Sequence, residues 1–361
     1  MQSMVLVFLL LLMMIFPGRS PGCPVPPGGE KSMNIVDLHV HVAGTGAGES
    51  GCYVSPKLRR NWRYGIYLKA FGVSRQELEQ EGDAIVFRKV SDRLAESGQV
   101  SAAVILALDG VVDEKGRLDL EQTEVYIPNE FGARETAKYP NLLFGASVNP
   151  YRPDALERLE AAAGQGAVLV KWLPSIQHID PADERLVPFY RKLIELDLPL
   201  LVHTGYERSF TLARHDVADP QRLELPLSLG VTVIAAHAAT TGKSAGQDNM
   251  ERLLEMMLLY PNLYADISSL TQLNKLVYLS RLLKRPEARE RLVYGTDFPL
   301  INTALVSPWY FPFDLTRKEM RRLSRIGNPW DRDVRLKRAL GVPEEVFTRG
   351  NRLLKAPPLG T

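Results

Sequence analysis

The stretch NIVDLHVHVAG, residues 34–44, places two histidines one residue apart at the end of a β-branched apolar run. Successive side chains of a strand point to opposite faces, so His39 and His41 share one face about 7 Å apart along the chain. Two imidazoles at that separation can close on one ion. IVDL reads as a short strand buried on both sides, and the Gly-rich AGTGAGESG after it ends the strand. Asp37 lies on the face of His39 but deeper, as an acceptor behind a ligand or as a buried hydrogen-bonded group. An H-x-H pair alone is equally compatible with hydrogen-bonded interior histidines, so the rest of the chain has to decide.

Seven more apolar runs follow, at 101–108, 142–150, 167–173, 199–204, 231–237, 263–268 and 291–297. Between them lie stretches with apolar residues recurring at three and four, such as DAIVFRKVSDRLAESG and DERLVPFYRKLIELDLP, which predict amphipathic helices. Eight strands alternating with helices predict an α/β fold, a (β/α)8 TIM barrel of ~250 residues plus insertions. The barrel domain is expected over residues 33–356, with an insertion after the first strand (43–82) and C-terminal helices. Active sites of such barrels form at the C-terminal strand ends, where these insertions can shape a substrate site.

With 361 residues, 45% of them hydrophobic, the chain can bury a large core. A net charge of +2 gives no electrostatic footprint for nucleic acid. Cys23 and Cys52 make no disulfide framework and match no Cys-based metal spacing. Residues 1–32 stand apart: MVLVFLLLLMMIF has the length of a signal-peptide core, yet no Lys or Arg precedes it and Pro21 interrupts RSPGC. The segment is either an export or anchoring signal, the chain's one expected membrane contact, or sequence upstream of a start at Met33 that leaves a cytoplasmic protein.

Placed on the predicted strands, the polar residues collect at one end. His39 and His41 end the first strand, Lys171 the fourth, His203 the fifth, His237 the sixth and Asp297 the eighth. Four of the chain's six histidines fall there, whereas His178 and His215 are expected in solvated loops. Neutral imidazoles and a carboxylate converging from several strands are what a metal site requires. Arg59 and Arg60 are candidates to grip a substrate carboxylate, and Tyr206 and Arg208 to line the pocket. Trp172 is expected on the face opposite Lys171, although it also stands as a pocket candidate.

The motifs DLHVH, VKWLP, LLVHTG, AAHA, YADISS, YGTDFP and FTRGNRLL occur in the order found in the amidohydrolase superfamily. Over residues 33–355 the chain resembles its amidohydrolase-related branch, which includes hydrolases and aminocarboxymuconate-semialdehyde decarboxylase-like enzymes. The resemblance implies metal ligation by His39, His41, His203 and Asp297. It gives His237 the role of polarising the substrate or activating water. Lys171 occupies the place of the carboxylated lysine of binuclear members. One divalent ion is expected, with Zn2+ the first choice, and two if Lys171 is carboxylated. The implied function is hydrolysis of a small amide, lactone or ester, with Asp297 accepting the proton of a metal-activated water and His237 stabilising the oxyanion. Non-oxidative decarboxylation of a small unsaturated or aromatic acid is the alternative. A non-catalytic binding barrel is disfavoured because no ligand is missing.

Overall fold

Short β-branched runs flanked by helical stretches bury both faces in a parallel sheet covered by helices, and each of the eight apolar runs forms a strand. The structure, a computed structural model, describes residues 35–207 and 210–355. The strands are β1 (Ile35–His41), β2 (Val100–Leu106), β3 (Leu142–Ala146), β4 (Ala167–Trp172), β5 (Leu200–His203), β6 (Val233–Ala236), β7 (Leu263–Asp266) and β8 (Leu292–Val293). They pair in parallel in the order β1 to β8. A cluster including Val36, Ala102, Leu169, Leu201, Ile234 and Val293 fills the barrel interior. A larger one packs the outer strand faces against the helices, as where Trp172 meets Phe189 and Tyr190. The segment 1–32 lies outside the described residues. No helix among the described residues is long and apolar enough to cross a membrane.

β8 is shorter than the 291–297 run because its last residues bond elsewhere. Leu38 N–H donates to the Tyr294 carbonyl at 3.3 Å, Asp297 N–H to the His39 carbonyl at 2.9 Å, and His41 N–H to the Phe298 carbonyl at 2.9 Å. These bonds stitch the chain after β8 to β1 and nearly close the barrel. Asp37 is the polar centre of this seam. Its carboxylate accepts from His39 N–H (3.1 Å), Thr296 N–H (3.0 Å), Thr296 Oγ1 (2.5 Å) and Trp330 Nε1 (2.8 Å). Asp37 is thus a structural tie rather than an acceptor for an imidazole ring. Trp330 comes from the C-terminal helix Pro329–Ala339, whose Lys337 Nζ donates to the Gly295 carbonyl (2.9 Å) and to Asp333 (2.7 Å).

The insertion after β1 folds into helices Pro56–Arg60, Trp62–Phe71 and Arg75–Glu81. Each start is legible in the sequence. Ser55 and Asn61 cap the first two, and Ser74 with Glu77 forms a capping box. A two-residue strand, Tyr53–Val54, pairs with Val125–Tyr126 and ties the insertion to the loop after β2.

Burial pushes the Asp37 carboxyl up to about 7 against the four donors that favour its charged form. Removing the carboxylate strands those donors inside the seam, at about 1–3 kcal/mol for a buried group left without its partner. Asp37→Ala is therefore expected to lower the free energy of unfolding by that amount, read in urea as a lower midpoint at unchanged slope. An unchanged midpoint would remove Asp37 from the closure.

Candidate metal centre

The strand ends bring the imidazoles and Asp297 together at one mouth. His39 Nε2 lies 3.1 Å from His41 Nε2 and 3.8 Å from Asp297 Oδ1, and His41 Nε2 lies 3.2 Å from the same oxygen. Donors separated by these distances fit around one ion at ligand distances of about 2.0–2.2 Å. His203 stands on the neighbouring wall with its ring 5.1 Å from that of His237. Its Nε2 is buried without a hydrogen-bond partner among the described residues, 3.5 Å from Glu207 Oε2. An orphaned buried nitrogen costs about 1–3 kcal/mol, which a cation would offset. The donor set therefore fits a divalent metal.

Asp266, at the end of β7, orients the site from behind. Its Oδ2 takes His39 Nδ1 at 2.8 Å, and its Oδ1 takes His237 N–H at 2.8 Å, Ser268 N–H at 3.0 Å and the Ser268 hydroxyl. With the Ser268 proton committed to Asp266, His237 Nδ1, 2.7 Å from Ser268 Oγ and 3.2 Å from the Ser268 carbonyl, must donate. Both His39 and His237 then carry their proton on Nδ1 and present an Nε2 lone pair to the mouth. Burial is the main cause that keeps these rings neutral: His39 is pulled down to about 4, with Lys171 adding to the effect, His203 to about 4, and His237 well below the usual range. Burial alone would raise the Asp297 carboxyl, but His237, His41 and His39 outweigh it and hold it well below the usual carboxylate range.

A family model described as amidohydrolase matches residues 36–325. The chain belongs to the amidohydrolase family. An uncharacterised TIM-barrel protein from Bordetella bronchiseptica shares the fold, with a TM-score of 0.52 and 15% identity over 84% of this chain and 99% of that one. A probable 2-pyrone-4,6-dicarboxylic acid hydrolase from Acinetobacter baumannii is similar at TM-score 0.47 and 14% identity, over 87% of this chain and 99% of that one. The 5-carboxyvanillate decarboxylase of Sphingomonas paucimobilis is similar at TM-score 0.47 and 11% identity, over 90% and 100%. No curated protein matches the chain. This amidohydrolase-family protein is an enzyme, and the family generally uses a divalent metal that the His/Asp groups of the mouth could bind.

Lys171 sits at the base of the amidohydrolase site, its Nζ 3.1 Å from His39 Nε2. Burial pulls its ammonium down to about 8 against the opposing pull of Asp266 and Asp297. The mouth opens into a cavity of about 160 Å³ bordered by His41, His203, Glu207, His237 and Asp297, with Leu58, Tyr64 and Phe71 of the insertion opposite. Three of the substrate candidates do not border this cavity. Arg59 gives Nε to the Val54 carbonyl (3.0 Å) and a terminal nitrogen to the Thr45 carbonyl (2.6 Å), while Arg60 is exposed, and neither borders the cavity. Tyr206 stacks on His215 at 4.5 Å, donates to the Lys243 carbonyl and does not border it either. Arg208 lies outside the described residues. His178 is half-buried in its loop, and Trp172 is core.

Asp266, Ser268 and Glu207 were not singled out by sequence reasoning. Asp266 and Ser268 lie in the YADISS motif, and the signal that could have found them is a charge closing an apolar strand, as at Lys171. Partners that orient ligand imidazoles typically matter by 10–100-fold in metal affinity. Asp266→Asn is accordingly expected to weaken Zn2+ binding about 10–100-fold in a competitive chelator titration, and unchanged affinity would contradict this orienting role.

Proposed function

We propose that this enzyme is a metal-dependent hydrolase of small carbonyl substrates, and that His39, His41, His203 and Asp297 hold one divalent ion. The observation that carries the reading is the donor triangle of His39, His41 and Asp297 beside the orphaned His203 nitrogen. Zinc is the first choice for three imidazoles and one carboxylate. When bound, the ion supplies Lewis acidity and lowers the pKa of a water to ~7.

The chain's own groups handle the protons. Asp297, held ionised, accepts a proton from the attacking water and returns it to the leaving oxygen or nitrogen as the acyl bond breaks and the carbon–oxygen bond to water forms. His237 Nε2, 4.0 Å from Asp297 Oδ2, faces the same space as a lone pair. Its neutral tautomer suits it to accept a proton, the water-activating one of the two roles that the resemblance implies. Lys171 keeps an uncarboxylated ammonium beside His39 in this reading. The decarboxylation alternative calls for a cation that grips a carboxylate; of its two candidates, Arg59 is engaged by two backbone carbonyls and Arg60 does not border the cavity.

Elemental analysis of the purified protein is expected to give about one metal equivalent per chain, as a single set of three imidazoles and a carboxylate implies. About two equivalents would restore the carboxylated lysine. Chelation should abolish ester hydrolysis and Zn2+ should restore it. Asp297→Asn should lower kcat about 10²–10⁴-fold, as loss of general acid–base catalysis does. Carbon dioxide release from aromatic acids without ester, lactone or amide hydrolysis would overturn the reading.

A further inference from the structure

We infer that Ser269, backed by Gln272, is a positioning residue that fixes the plane of the Asp297 carboxylate, so that Oδ1 stays turned to the imidazoles and Oδ2 stays available to carry the proton. This deepens the hydrolase reading above and rests on it.

Three observations carry it. The first is that the two oxygens have different neighbours. Oδ1 lies 3.2 Å from His41 Nε2 and 3.8 Å from His39 Nε2, the nitrogens proposed to hold the ion. Oδ2 takes the Ser269 hydroxyl and has His237 Nε2 at 4.0 Å. The backbone of Asp297 is pinned through its N–H to the His39 carbonyl at 2.9 Å, but the last torsion of an aspartate is soft, so the backbone alone leaves the carboxylate plane free to turn. The bond from Ser269 removes that freedom and uses one of the two lone pairs of Oδ2.

The second is that the chain of hydrogen bonds runs in one direction. An ionised carboxylate only accepts, so the single proton of the Ser269 hydroxyl is committed to Asp297. The atom of Gln272 that lies 2.7 Å from Ser269 Oγ must then be the donor, its amide nitrogen Nε2. Ser269 cannot turn its proton elsewhere without losing both bonds.

The third is how the clamp is held. Ser269 and Gln272 are buried, so bulk water does not compete for either bond, and neither borders the cavity. They reach the chemistry through Asp297. Ser269 has φ 61°, a conformation that persists in a non-glycine residue only where its surroundings enforce it. Gln272 N–H donates to the Ser269 carbonyl at 3.0 Å, and Leu273 N–H to the Leu305 carbonyl at 2.9 Å. The segment after β8 that carries Asp297 thus also holds the turn that carries its clamp.

The test uses the full chain loaded with Zn2+, phenyl acetate as substrate, and Ser269→Ala, which keeps the Cβ and removes the hydroxyl. The variant is expected to lose about 10–100-fold in kcat, as a small misplacement of a reacting group does, with KM unchanged. Its Zn2+ affinity, read by competitive chelator titration, should also be unchanged, because the hydroxyl holds the oxygen turned away from the imidazoles. An unchanged kcat overturns the inference, and so does a loss of Zn2+ affinity of about 10–100-fold, the mark of a residue that merely supports the ligand set. Gln272→Met, which keeps the Ser269 hydroxyl and removes its donor, is expected to show the same pattern at smaller size; it decides the test if Ser269→Ala does not fold, and an unchanged kcat there overturns the inference too. If the unaltered protein hydrolyses no ester, the hydrolase reading fails, and the visible absorption of the Co2+-loaded protein decides the positioning role. A spectrum altered by Ser269→Ala retains it, whereas an unaltered spectrum, or no spectrum of bound Co2+, overturns it.

Discussion

The hydrogen bond from Asp297 N–H to the His39 carbonyl, 2.9 Å long, joins the two ends of the barrel and assembles the site at the same point. Without it, the strand that carries two imidazoles and the turn that carries the carboxylate belong to opposite edges of an open sheet. With it, the Asp297 carboxylate lies within 3.8 Å of both His39 and His41. The surrounding polar contacts reinforce this seam: Asp37 takes donors from β1, the chain after β8 and Trp330, and Lys337 reaches Gly295 from the same helix. Gly295 suits this close approach, because a Cβ there would lie 3.0 Å from the His39 Cβ.

Function is concentrated where the fold is least comfortable. His237, Ala238, Ala239 and Asp297 all have φ between 47° and 63°, the left-handed region that non-glycine residues avoid. Such residues cost about 1–3 kcal/mol each and persist only where the surroundings over-determine them. Here the surroundings do so. Asp266 fixes the backbone of His237 and the ring of His39, and Asp297 is held by its bond to β1 and by the Ser269 hydroxyl. Burial, which would expel charge elsewhere, also serves the chemistry, because an imidazole kept neutral presents a lone pair.

Floor and walls have separate origins. Strand ends supply the groups that could hold an ion or move a proton, and their placement follows from the barrel. The insertion after β1, the loop after β5 and the turn after β8 supply the apolar border, through residues such as Tyr64, Phe210 and Leu300. Chemistry and selectivity can thus change independently, since substitutions at Leu58 or Phe71 alter the cavity without touching an imidazole.

The eight strands were legible in the sequence because each is a short apolar run, and parallel strands buried on both faces need that composition. His39, His41, Lys171, His203, His237 and Asp297 were legible because each interrupts such a run. Asp266 has the same signature but was read only as part of a motif, since an acceptor behind a ligand differs from the ligand only in which way its carboxylate points. That Arg59 is engaged by backbone carbonyls, that Tyr206 lies on His215, and that Glu207 faces His203 depend on how the loops pack, and loop contacts have no period in the sequence. The sequence alone determined the barrel and the residue types at its mouth, because burial on two faces leaves few patterns open. Only the tertiary structure decided which lone pairs face inward and which charges border the cavity, because the first depends on hydrogen bonds between strand ends, such as that between His39 and Asp266, and the second on how the loops pack.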